Sequence, residues 1–219
     1  MCLSEAKGMD IKMEKIMEYL KSAYHPIGMA VYGSFANGTN HLNSDFDALL
    51  VREEGEISHD HSLICGIELD VFIYPKSLFQ QEYPVEDFVQ IWDSRILFDR
   101  EDVIKNLKQR VNDYIKTFPA KTRTENEHNL AWCQKMLNRT ERKDAEGFYR
   151  MYWLLKDSLE IFFDIEMKYY FGPKKSLRYL EEHEPEVFEI YAAALREPTC
   201  AHVQNWIDCL KERFEKGIG

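Results

Sequence analysis

The sequence has neither a long hydrophobic run nor an internal repeat. No stretch approaches the roughly 18 consecutive apolar residues that a membrane-spanning helix needs, and residues 1–7 lack the apolar core of a signal peptide. Low-complexity segments are also absent. We therefore expect a cytoplasmic protein with no membrane partner, built from ordinary folded domains.

The sequence also lacks the cysteine and histidine spacings that are typical of metal or redox motifs. Its five cysteines share no close spacing. The only histidine cluster is His59-Asp60-His61, and two ligands without a third do not make a metal site. We therefore predict that this segment is a polar loop between strands.

An excess of positive charge is missing as well. The formal net charge is −10, and residues 1–119 hold 12 lysines and arginines against 20 aspartates and glutamates. A protein that follows nucleic acid needs several cations to neutralise phosphates. The composition therefore argues against a nucleic-acid partner and favours a small, cationic ligand.

A glycine-serine turn precedes a pair of aspartates in the first third of the chain. Gly33-Ser34 follows two residues with strand character, so the backbone N–H groups of this turn can face an anion such as a triphosphate. Asp45 and Asp47 come before the apolar run 48–51, and alternate residues of an extended strand point to the same face. Two such carboxylates suit a hard divalent cation such as Mg²⁺.

A third acid lies on a later predicted strand. Residues 67–74 alternate in character, which predicts a strand with Glu68, Asp70 and Phe72 on one face. Placed beside the strand that carries the aspartate pair, it would bring Asp70 to the same cluster. Neighbouring carboxylates repel one another, and a bound cation would relieve that repulsion.

The order of these motifs resembles the polymerase β nucleotidyltransferase superfamily. Its pattern is Gly-Ser, a spacer, Asp-x-Asp and a third acid on a later strand, and the resemblance extends over residues 30–74. With a helical half following, the chain is most similar to the enzymes that adenylylate aminoglycosides and related antibiotics. This resemblance implies Mg²⁺-dependent transfer of a nucleoside monophosphate, AMP from ATP, to a hydroxyl group of a small molecule, and hence a role in antibiotic resistance.

The same resemblance implies roles for individual residues. The metal ligands and catalytic acids are Asp45, Asp47 and Asp70, and Asp70 also accepts or orients the proton of the acceptor hydroxyl. The residues expected to contact the triphosphate are Gly33, Ser34 and Ser44.

The hydrophobic periodicity changes near the middle of the chain. The predicted strands are 28–32, 46–52, 67–74 and 95–98. After a helix at 9–23 and another at 75–81, the predicted helices are 101–117, 122–138, 144–171, 175–183, 185–196 and 199–215. We therefore expect an α+β protein, with a catalytic domain of mixed sheet and helices at 1–119 and a helical, substrate-binding domain at 120–219.

A row of acids on the predicted helix 144–171 is a second candidate site. Asp157, Glu160 and Asp164 recur at helical spacing, and the sequence allows two interpretations. They form a solvated face, or Glu160 acts on a cationic acceptor from the cleft between the domains, as the resemblance to the antibiotic enzymes implies. The opposite, apolar stripe is predicted to contain Phe148, Met151, Leu155, Leu159, Phe162 and Tyr169.

Two other functions stay open from the sequence. One is the nucleotidyltransferase of a toxin–antitoxin pair, which modifies a protein hydroxyl. The other is a nucleotide-binding module without turnover, although a module has no need of three clustered carboxylates. In this family a cleft can be shared between subunits, so the resemblance is also compatible with a homodimer.

Overall fold

The computed structural model describes residues 3–41, 43–142 and 144–217. Its architecture is α+β, as predicted, because a mixed β-sheet with flanking helices is followed by a series of helices. The chain divides into two compact units, one ending at Thr117 and the other beginning at Phe118. None of the helices in the described ranges is long and apolar enough to cross a membrane.

The first unit contains the sheet. Its strands are β1 (Gly28–Val31), β2 (Phe46–Arg52), β3 (Ser58–Asp60), β4 (Leu63–Ile64), β5 (Ile67–Pro75) and β6 (Arg95–Asp99). Its helices are α1 (Leu3–Tyr24), α2 (Gly33–Asn37), α3 (Lys76–Phe79) and α4 (Val103–Thr117), and a 3₁₀ helix spans Val85–Ile91. The strand order is β3-β5-β2-β1-β6, with β4 paired to β5. β2 and β5 are parallel, and the other pairs are antiparallel.

Both sides of the sheet are covered by apolar side chains. One side packs against α1 and α2 through residues such as Leu20 and Phe35. The other side packs against the 3₁₀ helix and α4 through Ile91 and Ile104. The predicted alternation of the strand that carries Asp70 is confirmed, since the buried residues of β5 are Ile67, Leu69, Val71, Ile73 and Pro75.

The second unit consists of helices. They are α5 (Arg123–Thr140), α6 (Ala145–Ile165), α7 (Pro173–His183), α8 (Pro185–Arg196) and α9 (Cys200–Lys216). A capping box begins α5, because the Thr122 hydroxyl accepts a hydrogen bond from the Glu125 N–H and the Glu125 carboxylate accepts one from the Thr122 N–H. The buried Trp206 of α9 donates to Ser158 of α6 over 2.8 Å. This bond ties the helix that carries the acidic row into the core of the unit.

Helix α6 is shorter than predicted. It ends at Ile165, not at residue 171, because Met167 adopts a positive φ of 51° that a helix cannot continue. Gly172 precedes α7 instead of ending α6. Tyr169 therefore lies outside the helix, and Phe148 is 54% exposed, so neither belongs to the apolar stripe. The other predicted members of the stripe are buried: Met151, Leu155, Leu159 and Phe162.

The prediction of a polar loop at His59-Asp60-His61 is wrong for His59 and Asp60, while His61 lies between β3 and β4. Residues Ser58–Asp60 form β3, which pairs antiparallel with β5 at one edge of the sheet. The buried Asp60 carboxylate accepts hydrogen bonds of 2.8 Å from the Tyr24 hydroxyl and from the Ser62 N–H. These bonds satisfy a buried polar group, which allows a strand whose sequence is polar throughout.

Candidate functional site

Two of the predicted catalytic acids lie side by side on neighbouring strands. In the parallel pairing of β2 with β5, Asp47 is the register partner of Asp70. Both are partly exposed, while Phe46 and Leu69 are buried on the opposite face. Register partners in adjacent strands present their side chains on the same face, so the two carboxylates share one face of the sheet.

Asp45 lies one residue before β2 and is exposed. The turn before it is closed by Ser44, whose N–H donates to the His41 carbonyl over 3.0 Å and whose hydroxyl accepts from the His41 N–H over 2.8 Å. Ser44 thus shapes the backbone that leads into Asp45. Its predicted contact with a triphosphate stays a prediction.

The glycine of the predicted phosphate turn lies against Asp47. Gly33 has a φ of 66°, and a Cβ atom at this position would overlap the Asp47 carboxylate. The backbone joins the two segments as well, because the Tyr32 N–H donates to the Asp47 carbonyl over 3.1 Å. Gly33 therefore serves both the left-handed turn and the placement of an acidic side chain.

Ser34 follows this glycine and is buried. Its carbonyl accepts hydrogen bonds from the Gly38 N–H, which caps α2, and from the Thr39 N–H over 3.0 Å. Ser34 thus stabilises the first turn after β1.

Tyr32 is a buried residue of this site that was not predicted. Burial raises the pKa of its hydroxyl well above the ordinary value, and the negative charges of Asp70 and Asp47 raise it further. Its hydroxyl therefore stays protonated and lies in the field of both acids. The one sequence signal for it was its place directly before Gly33.

A histidine cluster adjoins the same acids. The His59 Nε2 atom lies 2.5 Å from the Asp70 Oδ1 atom, and the rings of His59 and His61 are 3.7 Å apart between centroids. Among the described residues, His59, His61 and Asp70 form the one group of three metal-ligating side chains whose ligand atoms all lie within 4.8 Å of one another. Within the described ranges, neither Asp45 nor Asp47 belongs to such a group, and the metal role of the three aspartates stays a prediction. Sequence reasoning missed this group because its third member comes from another strand.

In the second unit, the acidic row of α6 borders a cavity. Asp157 and Asp164 are partly exposed and Glu160 is exposed. The Trp153 indole N–H donates to Asp157 Oδ2, and the rings of Trp132 and Trp153 lie 6.1 Å apart in an edge-to-face arrangement. The cavity has a volume of about 460 Å³ and is lined by Lys121, Asn129, Trp132, Trp153, Asp157, Glu160, Ile161 and Asp164.

The charge in this cavity is not fully balanced. Burial raises the pKa of Asp164, the nearby Lys121 ammonium lowers it, and the Glu160 charge raises it again. Carboxylates next to indole rings are the surroundings that favour an organic cation. Glu160 thus lines a cavity whose carboxylates and indole rings suit a cationic acceptor. Its action on an acceptor stays a prediction.

A match to a protein-family model agrees with the order of the motifs in the sequence. Residues 13–130 match the family model described as nucleotidyltransferase domain. The matched range includes the sheet, Gly33 and the three aspartates, and it ends before the acidic row of α6. A crystal structure of a nucleotidyltransferase-like protein from Exiguobacterium sibiricum 255-15 is similar at 14% identity, with a TM-score of 0.42, over 93% of this chain and 75% of that chain. No curated protein matches the sequence.

Proposed function

Because the chain belongs to the nucleotidyltransferase domain family, we propose that it transfers AMP from ATP to a hydroxyl group of a small, cationic acceptor, with pyrophosphate as the leaving group. The observation that carries this proposal is the pairing of Asp47 with Asp70 on adjacent parallel strands, with Gly33 packed against Asp47. This arrangement gathers acidic oxygens next to a glycine turn. The chemistry requires both elements in one place.

The donor set of this site fits a divalent cation. Asp45, Asp47 and Asp70 offer carboxylate oxygens, which are the ligands that Mg²⁺ prefers together with substrate phosphates. A Cβ atom on Gly33 would displace the Asp47 carboxylate, so glycine at this position leaves room for that carboxylate. A cation held there neutralises negative charge on the phosphates and on the leaving pyrophosphate.

The remaining steps fall to residues of the chain itself. Gly33 and Ser34 would receive the β- and γ-phosphates through backbone N–H groups and the serine hydroxyl. Ser44 would support them from the turn before Asp45. Asp70 would accept or orient the proton of the acceptor hydroxyl while the hydroxyl oxygen bonds to the α-phosphorus and the bond to pyrophosphate breaks.

The cavity on α6 supports a cationic acceptor. Its lining contains three carboxylates and two indole rings against one cation, Lys121, so the excess negative charge and the aromatic faces would attract an ammonium group. Aminoglycoside-like molecules carry such groups together with many hydroxyls. We therefore assign Glu160 to acceptor binding. Antibiotics of the aminoglycoside class are the first acceptors to test.

A pyrophosphate-release screen tests the proposal. The full chain is incubated with Mg²⁺, with each nucleoside triphosphate and with a panel of aminoglycosides, lincosamides and other hydroxylated small molecules. We expect acceptor-dependent pyrophosphate release with ATP and no release by Asp47→Ala. Nucleotide binding without release for any acceptor would contradict transfer to a small molecule. Labelling of a co-expressed protein by the nucleotide would instead identify a protein hydroxyl as the acceptor.

A further inference from the structure

The edge of the sheet next to the acidic face carries two imidazoles and a carboxylate on neighbouring strands. His59 pairs with Phe72 in the antiparallel ladder of β3 and β5. The ladder continues past β3, because the Leu69 N–H donates to the Ser62 carbonyl over 3.0 Å. By the same register, His61 lies opposite Asp70. The backbone pairing therefore sets all three side chains on one face.

The side-chain geometry brings the ligand atoms together. The ligand atoms of His59, His61 and Asp70 lie within 4.8 Å of one another. The ring of His59 stacks on Phe72 at 3.8 Å between centroids with an interplanar angle of 14°, which holds the imidazole in its orientation. Two donors bound to one tetrahedral zinc ion lie about 3.3 Å apart, as follows from metal–ligand bonds of roughly 2.0–2.1 Å. The His59 Nε2 and Asp70 Oδ1 atoms are closer than this, at 2.5 Å, and no separation in the group exceeds 4.8 Å, so side-chain rotations bring the three donors to this spacing.

We propose that His59, His61 and Asp70 form a binding site for a transition-metal ion of the zinc class. Two imidazoles and one carboxylate make a set of three protein ligands that leaves further positions open to solvent. Imidazole nitrogen favours zinc, nickel and copper over magnesium, which takes oxygen ligands. This site therefore differs in metal preference from the three aspartates assigned to Mg²⁺.

The two sites share Asp70. A zinc-class ion held by the histidines draws on the Asp70 carboxylate, so less of its charge is available to the neighbouring oxygen cluster. Such an ion is expected to lower Mg²⁺-dependent transfer, and this consequence rests on the proposed function. Binding of the ion itself does not rest on the proposed function, because it needs neither nucleotide nor acceptor.

Titration with Co²⁺ tests the site directly. The full chain is freed of metal by a chelator, Co²⁺ is added without nucleotide, and visible absorption is followed, with Zn²⁺ added last to displace the cobalt. We expect one Co²⁺ per chain with imidazole and carboxylate ligation and without a thiolate charge-transfer band. His59→Gln and His61→Gln should each weaken binding by at least about 100-fold, since even loss of a residue that only orients a ligand costs about 10- to 100-fold.

The matched control is His128→Gln, which alters an exposed histidine on α5 in the second unit. This variant should bind Co²⁺ like the parent chain, and circular dichroism of all variants without metal should coincide. Equal Co²⁺ affinity in the parent chain and in His59→Gln would overturn the site. A thiolate band or a lack of saturable binding would overturn it as well. None of these outcomes depends on finding an acceptor, so failure of the pyrophosphate screen is a separate result.

Discussion

The sheet of the first unit and helix α6 of the second unit both carry rows of carboxylates, but the backbone fixes the two rows differently. Asp47 and Asp70 are register partners in adjacent parallel strands, and strands in a sheet lie roughly 4.8 Å apart. On α6, Glu160 is exposed, and Asp157 accepts a hydrogen bond from the indole of Trp153 on the same helix.

The comparison separates a preorganised site from an adaptable one. Like charges on adjacent strands repel each other, and the strand pairing keeps Asp47 and Asp70 side by side, so the row on the sheet gains from a bound cation. The row on the helix borders a cavity, and one of its acids, Asp157, is held by a neighbouring indole N–H. We therefore expect the sheet acids to decide whether transfer occurs, and the helix acids to decide which acceptor is used.

Replacement of Asp47 by alanine should have the largest effect. It removes one ligand of the proposed metal site, and loss of electrostatic stabilisation at a reacting centre costs several kcal/mol, so we expect the rate of transfer to fall by at least about 10³. The melting temperature should stay the same or rise, because a repulsive charge is gone. Pyrophosphate release and thermal denaturation measure the two effects.

Glu68→Ala is the control for this prediction. Glu68 is an exposed acid two residues before Asp70 on β5, so its loss changes the local charge by the same amount. Its activity should stay within a few fold of the parent chain. An equal loss of activity in both variants would mean that general negative charge matters and the metal assignment is wrong.

Gly33→Ala should come next in size. The methyl group would displace the Asp47 carboxylate, and a displacement of about 1 Å in a catalytic group can cost roughly 10²-fold in rate. Strain at a positive φ adds about 1–2 kcal/mol of instability. Gly38→Ala is the matched control, because Gly38 has a φ of 71° but a Cβ atom there would meet nothing within 4 Å. Both variants should lose stability, and only Gly33→Ala should lose most of its activity.

Glu160→Gln should have a smaller and more selective effect. If Glu160 holds a cationic group of the acceptor, the acceptor KM should rise by about 10- to 100-fold, as for one hydrogen bond to a charged group, while nucleotide affinity is unchanged. Glu181→Gln, at an exposed position of α7, serves as the comparison. A solvated face predicts equal kinetics for the two variants, with stability changes within about 0.5 kcal/mol.

Asp164→Asn should give the smallest effect, and its sign depends on pH. Burial raises the pKa of Asp164 in the folded chain above the ordinary 3.8, so the folded state binds this proton more tightly than the unfolded chain does. The contribution of Asp164 to stability therefore falls as pH rises from 3.8 through the folded pKa. At pH 7 the variant should be more stable than the parent by about 0.5 kcal/mol, and the gain should vanish near pH 3. Thermal denaturation at both pH values measures this difference in stability. A variant that is more stable than the parent at pH 3 but not at pH 7 would contradict the raised pKa of Asp164.

Much of the sheet could be predicted because its strands alternate or are wholly apolar. The predicted bounds 46–52 of β2 are those observed, and the predicted strand 95–98 is observed as β6 (Arg95–Asp99). The edge strand β3 was missed because Ser58–Asp60 is polar throughout, and it is held by pairing with β5 and by bonds to Asp60 that no local pattern reveals. Tertiary contacts overrode composition at that edge.

The candidate site was predictable where it lies within one motif and not where it crosses strands. Gly33, Asp45 and Asp47 lie within one short stretch of sequence, so their order was visible. The proximity of His59 and His61 to Asp70 depends on the register between β3 and β5, which cannot be read from the local sequence. The end of α6 was missed because residues 166–171 include no proline or glycine, and the break occurs at Met167 with a positive φ.

Binding of Mn²⁺ in the presence of a non-hydrolysable ATP analogue, followed by electron paramagnetic resonance, tests the central claim most directly because it needs no acceptor. Three proteins are compared: the parent chain, Asp47→Asn for the sheet row and Glu160→Gln for the helix row. We expect the parent chain and Glu160→Gln to bind Mn²⁺ with equal affinity, and Asp47→Asn to bind it at least about 100-fold more weakly, since an altered metal ligand costs no less than an altered supporting residue. Equal Mn²⁺ affinity in Asp47→Asn and the parent chain would contradict the assignment of the metal site to the acids of the sheet.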